Sequence, residues 1–357
     1  MGYFSEFDHG GNVYRVARIL GVSPAAIRDL SSSVNPLFSA FIRDKLGDLL
    51  SYLEFYPEPY SEELKEILAE KLRIPKEKIL FGNGSIELIT LALYHLIPRG
   101  SKVLLLEPTF IAYRRILKDL HHKTLFFSLN TNDWFEFIEN FLKKETGCKK
   151  VVIICNPNNP TGWLLLKSRL REIISREGDT LFFVDEAFID FCEEDSLVYE
   201  ATQLDNLLVF RSLTKFYGLA GARSGYMVSH HKYIDLLKRL TSPWNVSTIS
   251  QILSKYVLIN EDFKKKSLEF FLKEKKRFEE HFLRLKINFF PSVTNFYLFY
   301  LPTAKPFVEW LLRERKVLIR TCENFYGLSS DYLRVSIKDE ESNKIFFEAL
   351  EKWLKGF

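Results

Sequence analysis

The sequence predicts an α/β protein with a mostly parallel central sheet flanked by helices, followed by a smaller α+β C-terminal domain. Three observations lead there. Short continuous apolar runs recur at 102–106, 124–128, 151–155, 180–184, 207–210 and 225–228, and unbroken runs of this kind belong to strands buried on both faces. Helix-like stretches lie between several of them, at 111–120, 135–144 and 167–176, the alternation that builds a parallel sheet. Beyond Ser242-Pro243 the pattern changes to a long charged helix, two short strands and a terminal helix.

Taken in order, residues 1–36 are irregular apart from a helical spacing over 13–20, with a turn-rich His9-Gly10-Gly11-Asn12 and a loop at Ser31-Ser32-Ser33-Val34-Asn35-Pro36. A second helix is expected from about 40 to 53, and Tyr56-Pro57-Glu58-Pro59 breaks it. Ser61 is placed to cap a helix whose Leu64, Ile67, Leu68 and Leu72 share one face. The strand series begins near 79, and in such sheets ligands bind outside the carboxyl ends of the strands. Residues 262–286 read as a long helix with a solvated Lys/Glu face over an aromatic stripe. Strands at 297–300 and 333–337 and a terminal helix complete the small domain. The expected division is an N-terminal arm and helix over 1–55 that joins the small lobe, a large domain over 56–245, and the small domain over 246–357.

Composition narrows the function classes. Lys plus Arg is 50 and Asp plus Glu is 46, a net charge of +4, too little to favour nucleic-acid binding. The chain holds 32 Phe but 2 Met, so aromatic rings should fill much of the core. No stretch approaches the ~20 apolar residues of a membrane span, and the N-terminus, with Glu6 and Asp8, does not resemble a secretory signal. Cys148, Cys155, Cys192 and Cys322 have no metal-ligand spacing and read as buried thiols of a cytoplasmic protein. No metal site is expected.

The most informative segment runs from Arg211 to Arg223. Lys215 follows a buried strand directly and so emerges at the sheet's carboxyl edge, with Ser212, Thr214, Arg211 and Arg223 within eight residues of it. A lysine near cations and partly desolvated has a lowered pKa and can form a Schiff base; hydroxyls and a guanidinium suit a phosphate. Alone, this could be a basic surface loop. Three other segments sit at comparable junctions. Asn156-Pro157-Asn158-Asn159-Pro160-Thr161-Gly162 is a rigid turn after a strand, Asp185 ends another strand in Asp185-Glu186-Ala187-Phe188, and Gly82-Asn83-Gly84-Ser85 opens a helix in the manner of a phosphate site.

In this order, with an arginine eight residues after the lysine, these motifs resemble those of fold-type I pyridoxal-phosphate enzymes, the class I/II aminotransferase superfamily, over essentially the whole chain. The resemblance implies pyridoxal 5'-phosphate as cofactor, Lys215 as its Schiff-base lysine and Asp185 as the partner of the pyridinium nitrogen. It implies Asn159 at the ring hydroxyl, Phe110 stacked on the ring, and Gly84, Ser85, Ser212, Thr214 and Arg223 around the phosphate. Tyr56 would reach that phosphate from a neighbouring subunit, which implies a homodimer with shared sites. Arg334 would hold the substrate carboxylate through paired hydrogen bonds.

Within the superfamily the chain is most similar to threonine-phosphate decarboxylases of cobalamin biosynthesis, and next to histidinol-phosphate aminotransferases. The openings His9-Gly10-Gly11-Asn12 and Ser33-Val34-Asn35-Pro36, and the later Ile319-Arg320-Thr321-Cys322, resemble the decarboxylases. Phe188 stands where such aminotransferases usually have Tyr. The resemblance therefore implies decarboxylation of threonine O-3-phosphate to 1-aminopropan-2-yl phosphate, with Arg320, His9 and Asn35 as candidate receptors for the substrate phosphate. Amino transfer from histidinol phosphate is the alternative.

Overall fold

The structure is a computed structural model that describes residues 10–43, 46–119, 124–145 and 147–356. Its centre is a sheet of seven strands in the order Ile79–Asn83, Ser224–Ser229, Leu207–Ser212, Thr180–Asp185, Lys150–Cys155, Lys102–Glu107 and Thr124–Phe127. The strand Ser224–Ser229 runs antiparallel to both neighbours, and the remaining pairings are parallel. Alternate residues feed two cores. Leu104, Val152, Phe182 and Val209 face one side, and Val103, Val151, Phe183 and Leu208 face the other. This is why the strands read as unbroken apolar runs: both faces are covered, so neither tolerates polar residues.

The one reversed strand matters for function. Because Ser224 lies opposite Asn83 and Gly225 opposite Ser212, the residue before it, Arg223, returns to the edge where the parallel strands end.

A second sheet is antiparallel, in the order Arg320–Thr321, Tyr332–Ser336, Phe296–Tyr300, Asn288–Phe289. The helices Glu261–Arg284, Ala304–Arg315 and Glu340–Leu354 supply Phe271, Phe278, Phe282, Phe307, Phe346 and Phe347 to its core. Phenylalanine fills the large-lobe cores as well, where Phe81, Phe141, Phe182, Phe183, Phe210 and Phe216 are buried. The arm joins it: Arg28–Asp29 pairs in parallel with Val317–Leu318, and Leu30 enters the same core.

Three expectations are corrected. The stretch 40–53 is not one helix but Phe38–Ile42, Leu46–Leu49 and a 3-10 turn at Leu50–Tyr52. Ser61 precedes the helix Glu62–Leu72 but does not cap it. Its left-handed backbone, φ 53°, leaves no hydrogen bond from its side chain to the first turn, and Glu58 instead accepts from the Glu63 N–H at 2.8 Å. The packing also crosses the expected boundary at 245. Val246, Leu253, Val257, Leu258 and Phe263 share a core with Leu64 and Leu68 of the large lobe, as do Ile42 and Leu49 of the arm region. Among the described residues no helix is long and apolar enough to cross a membrane.

Candidate active site

The carboxyl ends of the parallel strands meet the small sheet around a cavity of about 350 Å³. At one end of it the helix Ser85–Leu96 begins directly after the first strand. Two glycines permit the crowding there. A Cβ at Gly84, whose φ is 74°, would stand 2.5 Å from Arg223 Nη2, and one at Gly225 would stand 2.3 Å from the Ser85 nitrogen. Ser212 and Thr214 place their hydroxyls 2.7 Å apart, and Ser85, Ser212, Thr214 and Arg223 all line the cavity. A helix N-terminus, hydroxyls and a guanidinium together form a cradle for a phosphate-sized anion.

Lys215 and Asp185 also line the cavity. Burial pushes Lys215 down to about 8, and the cations Arg334, Arg223 and Lys338 add to this against the attraction of Asp185. Burial pushes Asp185 up to about 6, although hydrogen bonds from the Tyr113 hydroxyl and the Ala187 N–H at 3.0 Å favour its charged form. Phe110, half-buried, forms a wall beside them.

Arg334, contributed to the lining by the small sheet, is buried at 6% exposure. It donates to Asn159 Oδ1 and, at 2.7 Å, to the Ser31 carbonyl, while its Nε–H is buried with no partner among the described residues. Its guanidinium lies 4.9 Å from the Phe296 ring centre, and burial next to Arg320 lowers it to about 10. Arg320 is its cross-strand neighbour and donates to Asn324 at 2.7 Å. Two buried guanidiniums side by side concentrate positive charge at the cavity, which favours an anionic group there.

The turn 156–162 divides its asparagines by role. Asn156 bonds the Leu165 backbone, and Asn158 bonds Thr109, Thr161 and the Pro108 carbonyl. These lock the turn and leave Asn159 to face the cavity.

Several expected residues lie elsewhere. Asn35 does not line the cavity: it is buried, its amide donates to Phe216 O and Ser267 Oγ at 2.8 Å each, and its Oδ1 accepts from Leu37 N. With its polar atoms consumed in holding the arm against the 215–217 loop, it is a structural residue and not a phosphate receptor. Arg211 points to the other face of the sheet, where it pairs with Asp190 at 2.7 Å and lies 3.7 Å from Glu186. Alternation along the strand explains this, since Ser212 takes the cavity side. Tyr56 is 82% exposed and rests on Trp244 instead of lining the cavity of its own chain. His9 falls outside the described residues.

The sequence reading missed two contributors. Tyr113 reaches Asp185 from the helix Ile111–Asp119, and only its three-residue spacing from Phe110 hinted that it shares that face. Ser31, Ser32 and Ser33 line the cavity from the arm. Asp29 organises them, accepting from Ser31 N, Ser31 Oγ and Ser32 Oγ.

The chain is similar along nearly its full length to known proteins. It is 31% identical to a histidinol-phosphate aminotransferase of Methanocaldococcus jannaschii, over 96% of this chain and 93% of the relative. It is equally 31% identical to a threonine-phosphate decarboxylase of Salmonella typhimurium, over 98% of this chain and 97% of the relative. Its fold matches the histidinol-phosphate aminotransferase from Sinorhizobium meliloti, solved in complex with pyridoxal-5'-phosphate, with TM-score 0.83 at 20% identity over 96% of this chain and 94% of that one. Residues 31–350 match the aminotransferase class I and II family. With that match spanning most of the chain, and a cavity that joins a lysine, a buried aspartate and an anion cradle, the chain belongs to the class I and II aminotransferase family.

Proposed function

We propose that the chain is a pyridoxal-phosphate-dependent decarboxylase of threonine O-3-phosphate, producing 1-aminopropan-2-yl phosphate and carbon dioxide. The residues present fit the cofactor. Ser85, Ser212, Thr214 and Arg223 would hold its phosphate, Asp185 its ring nitrogen, Asn159 its ring hydroxyl and Phe110 its face, with Lys215 within reach of its aldehyde. Bound there, the cofactor supplies an electron sink for the pair left at Cα when a bond to it breaks.

The protein's own part is binding and proton handling. Arg334 holds the substrate carboxylate, using the N–H that has no partner among the described residues. Arg320, beside it, attracts the side-chain phosphate. Lys215, lowered to about 8, has a neutral fraction near neutrality, and its Nζ can carry a proton to or from Cα.

The observation that carries decarboxylation is Phe188. Its ring lines the cavity next to Asp185 and packs edge-on against Phe296 at 4.9 Å, beneath the Arg334 guanidinium. This wall offers no hydroxyl to the ring oxygen. Without that hydrogen bond the electronic tuning of the ring differs from that of the aminotransferases, which usually carry Tyr at this position.

Purified protein with pyridoxal phosphate and threonine O-3-phosphate should release CO2 stoichiometrically with amine, without accumulating the pyridoxamine form. Glutamate formed from histidinol phosphate and 2-oxoglutarate, with no CO2, would establish the second reading. That reading is favoured by the M. jannaschii relative at the same identity. We further propose a homodimer in which Tyr56 of each subunit completes the phosphate site of the other.

A further inference from the structure

We propose that Tyr113 is a positioning residue for the cofactor: its hydroxyl fixes the orientation and basicity of Asp185, and its ring ties that carboxylate to the Phe110 wall. Tyr113 is 1% exposed and sits in the first turn of the helix Ile111–Asp119, its N–H bonded to the Phe110 carbonyl at 3.2 Å. Its ring meets Phe110 edge-on, centres 5.5 Å apart at 85°. Its hydroxyl donates to Asp185 Oδ2, and the Ala187 N–H donates to Oδ1. One side chain thus touches two groups that would contact opposite features of the ring, its face and its nitrogen.

The surroundings of Asp185 leave this role to Tyr113. Lys215 faces it from the loop after the Leu207–Ser212 strand. Cys155 is its register partner on one neighbouring strand, and burial raises that thiol so that it stays neutral. Its register partner on the other strand is the apolar Phe210. Among the described residues Tyr113 is the one side chain that donates a hydrogen bond to Asp185. Burial and the charge of Asp185 hold the phenol well above its ordinary range, so it remains a donor at any working pH. An ionised carboxylate has about four acceptor positions; with one used on each oxygen, capacity remains for a ring N–H from the cavity.

A donor to the charged form lowers a carboxyl pKa. Without the hydroxyl, Asp185 would take up a proton at higher pH and lose its charge toward a cationic ring nitrogen. Tyr113→Phe keeps the volume and removes the hydroxyl, with its bond to Asp185 and its weaker contact with the neutral Cys155 thiol.

The inference rests on pyridoxal phosphate being the cofactor and holds whichever bond at Cα is broken. The test titrates apoprotein with pyridoxal phosphate in the absence of substrate, after circular dichroism has shown that each variant is folded. Tyr113→Phe should weaken binding about tenfold at neutral pH and move the acid-side midpoint of cofactor release to higher pH. In an Asp185→Asn background, where no charge awaits the donor, the same substitution should change neither quantity. Wild-type protein that binds no cofactor would overturn the cofactor reading itself. Wild-type binding with a Tyr113→Phe variant of equal affinity and unmoved midpoint, or an equal loss in the Asp185→Asn background, would reduce Tyr113 to a core residue and overturn this inference.

Discussion

Asp185 and Lys215 are shifted in opposite directions by the same cause, and the shifts make separate demands on stability. The Asp185 carboxyl stands at about 6 against its ordinary 3.8. Between those values the folded protein binds the proton and the unfolded chain does not, so this group's contribution to stability falls as pH rises from 3.8 to about 6. Lys215 stands at about 8 against 10.5. There the unfolded chain binds the extra proton, so stability rises as pH climbs between those two values. Asp185→Asn removes the first effect, and because Lys215 stays charged below about pH 7 the change between about pH 4 and 6 reports Asp185. In denaturant unfolding of the apoproteins, the variant should gain on wild type as pH rises from about 4 to 6, by up to about 3 kcal/mol; a difference that is constant with pH would show that Asp185 does not titrate there. Lys215, Asp185 and the turn 156–162 stood out in the sequence because strand ends and turn chemistry are local signals, whereas Asn159 and Arg334 were singled out within it by the family resemblance alone. Asn35 and Arg211 were misread for a complementary reason. A polar residue in a promising motif looks the same in sequence whether it faces a cavity or closes a buried contact, and only the packing partner, Ser267 or Asp190, decides.

Elements meet at the site by close backbone approach, and the glycines record where. Gly225 lies on the reversed strand against the N-terminus of the helix Ser85–Leu96, with room for no Cβ: the nearest atoms are the Ser85 nitrogen at 2.3 Å and the Arg211 oxygen at 2.9 Å. Because both neighbours are backbone, relief requires moving the strand, the helix or both. Gly225→Ala should therefore cost about 1–3 kcal/mol of stability, as overpacking does. It should also weaken binding of pyridoxal phosphate beyond that of the wild type, because the helix N-terminus and Arg223 shift apart. Thermal unfolding and cofactor titration measure the two effects; an unaltered affinity in a destabilised variant would show that this contact serves folding only. Element positions were the most legible layer. Helices at Val13–Leu20 and Lys167–Arg176 coincide with the expected spans, because their apolar spacing is regular. The expected helix over 40–53 failed because an apolar spacing does not distinguish one α-helix from shorter α and 3-10 segments that present the same face. The cap of Glu62–Leu72 failed because a left-handed Tyr60-Ser61 pair turns the expected serine away and hands its role to Glu58.

At the scale of the molecule, a net charge of +4 conceals two opposed arrangements of cations. Arg211 and Lys264 are matched by Asp190, Glu186 and Glu193 behind the sheet, whereas Arg223, Arg320 and Arg334 gather around the cavity. Total charge speaks to partners and not to sites, so this division could not be seen in composition. The lobes are likewise less separate than the sequence suggests, since the arm contributes Ser31 to Ser33 to the cavity and residues 246–263 to the large core come from beyond the expected boundary. Tyr56 carries the expectation that belongs to this scale, a site shared between subunits. It belongs to an exposed apolar group with Leu50, Leu53, Phe55 and Trp244, a surface of the kind that a second subunit covers. If Tyr56 serves the partner's cavity while Lys215 serves its own, the two defects are separable in a mixed dimer. Tyr56→Ala and Lys215→Ala homodimers should each be inactive or nearly so. After the two are unfolded and refolded together in equal amounts, half of the dimers are mixed, and each of these carries one cavity with both defects and one with neither. Activity should then recover to about a quarter of wild type. Recovery would establish a shared site; no recovery, with mixed dimers confirmed by differential tagging, would place Tyr56 outside it.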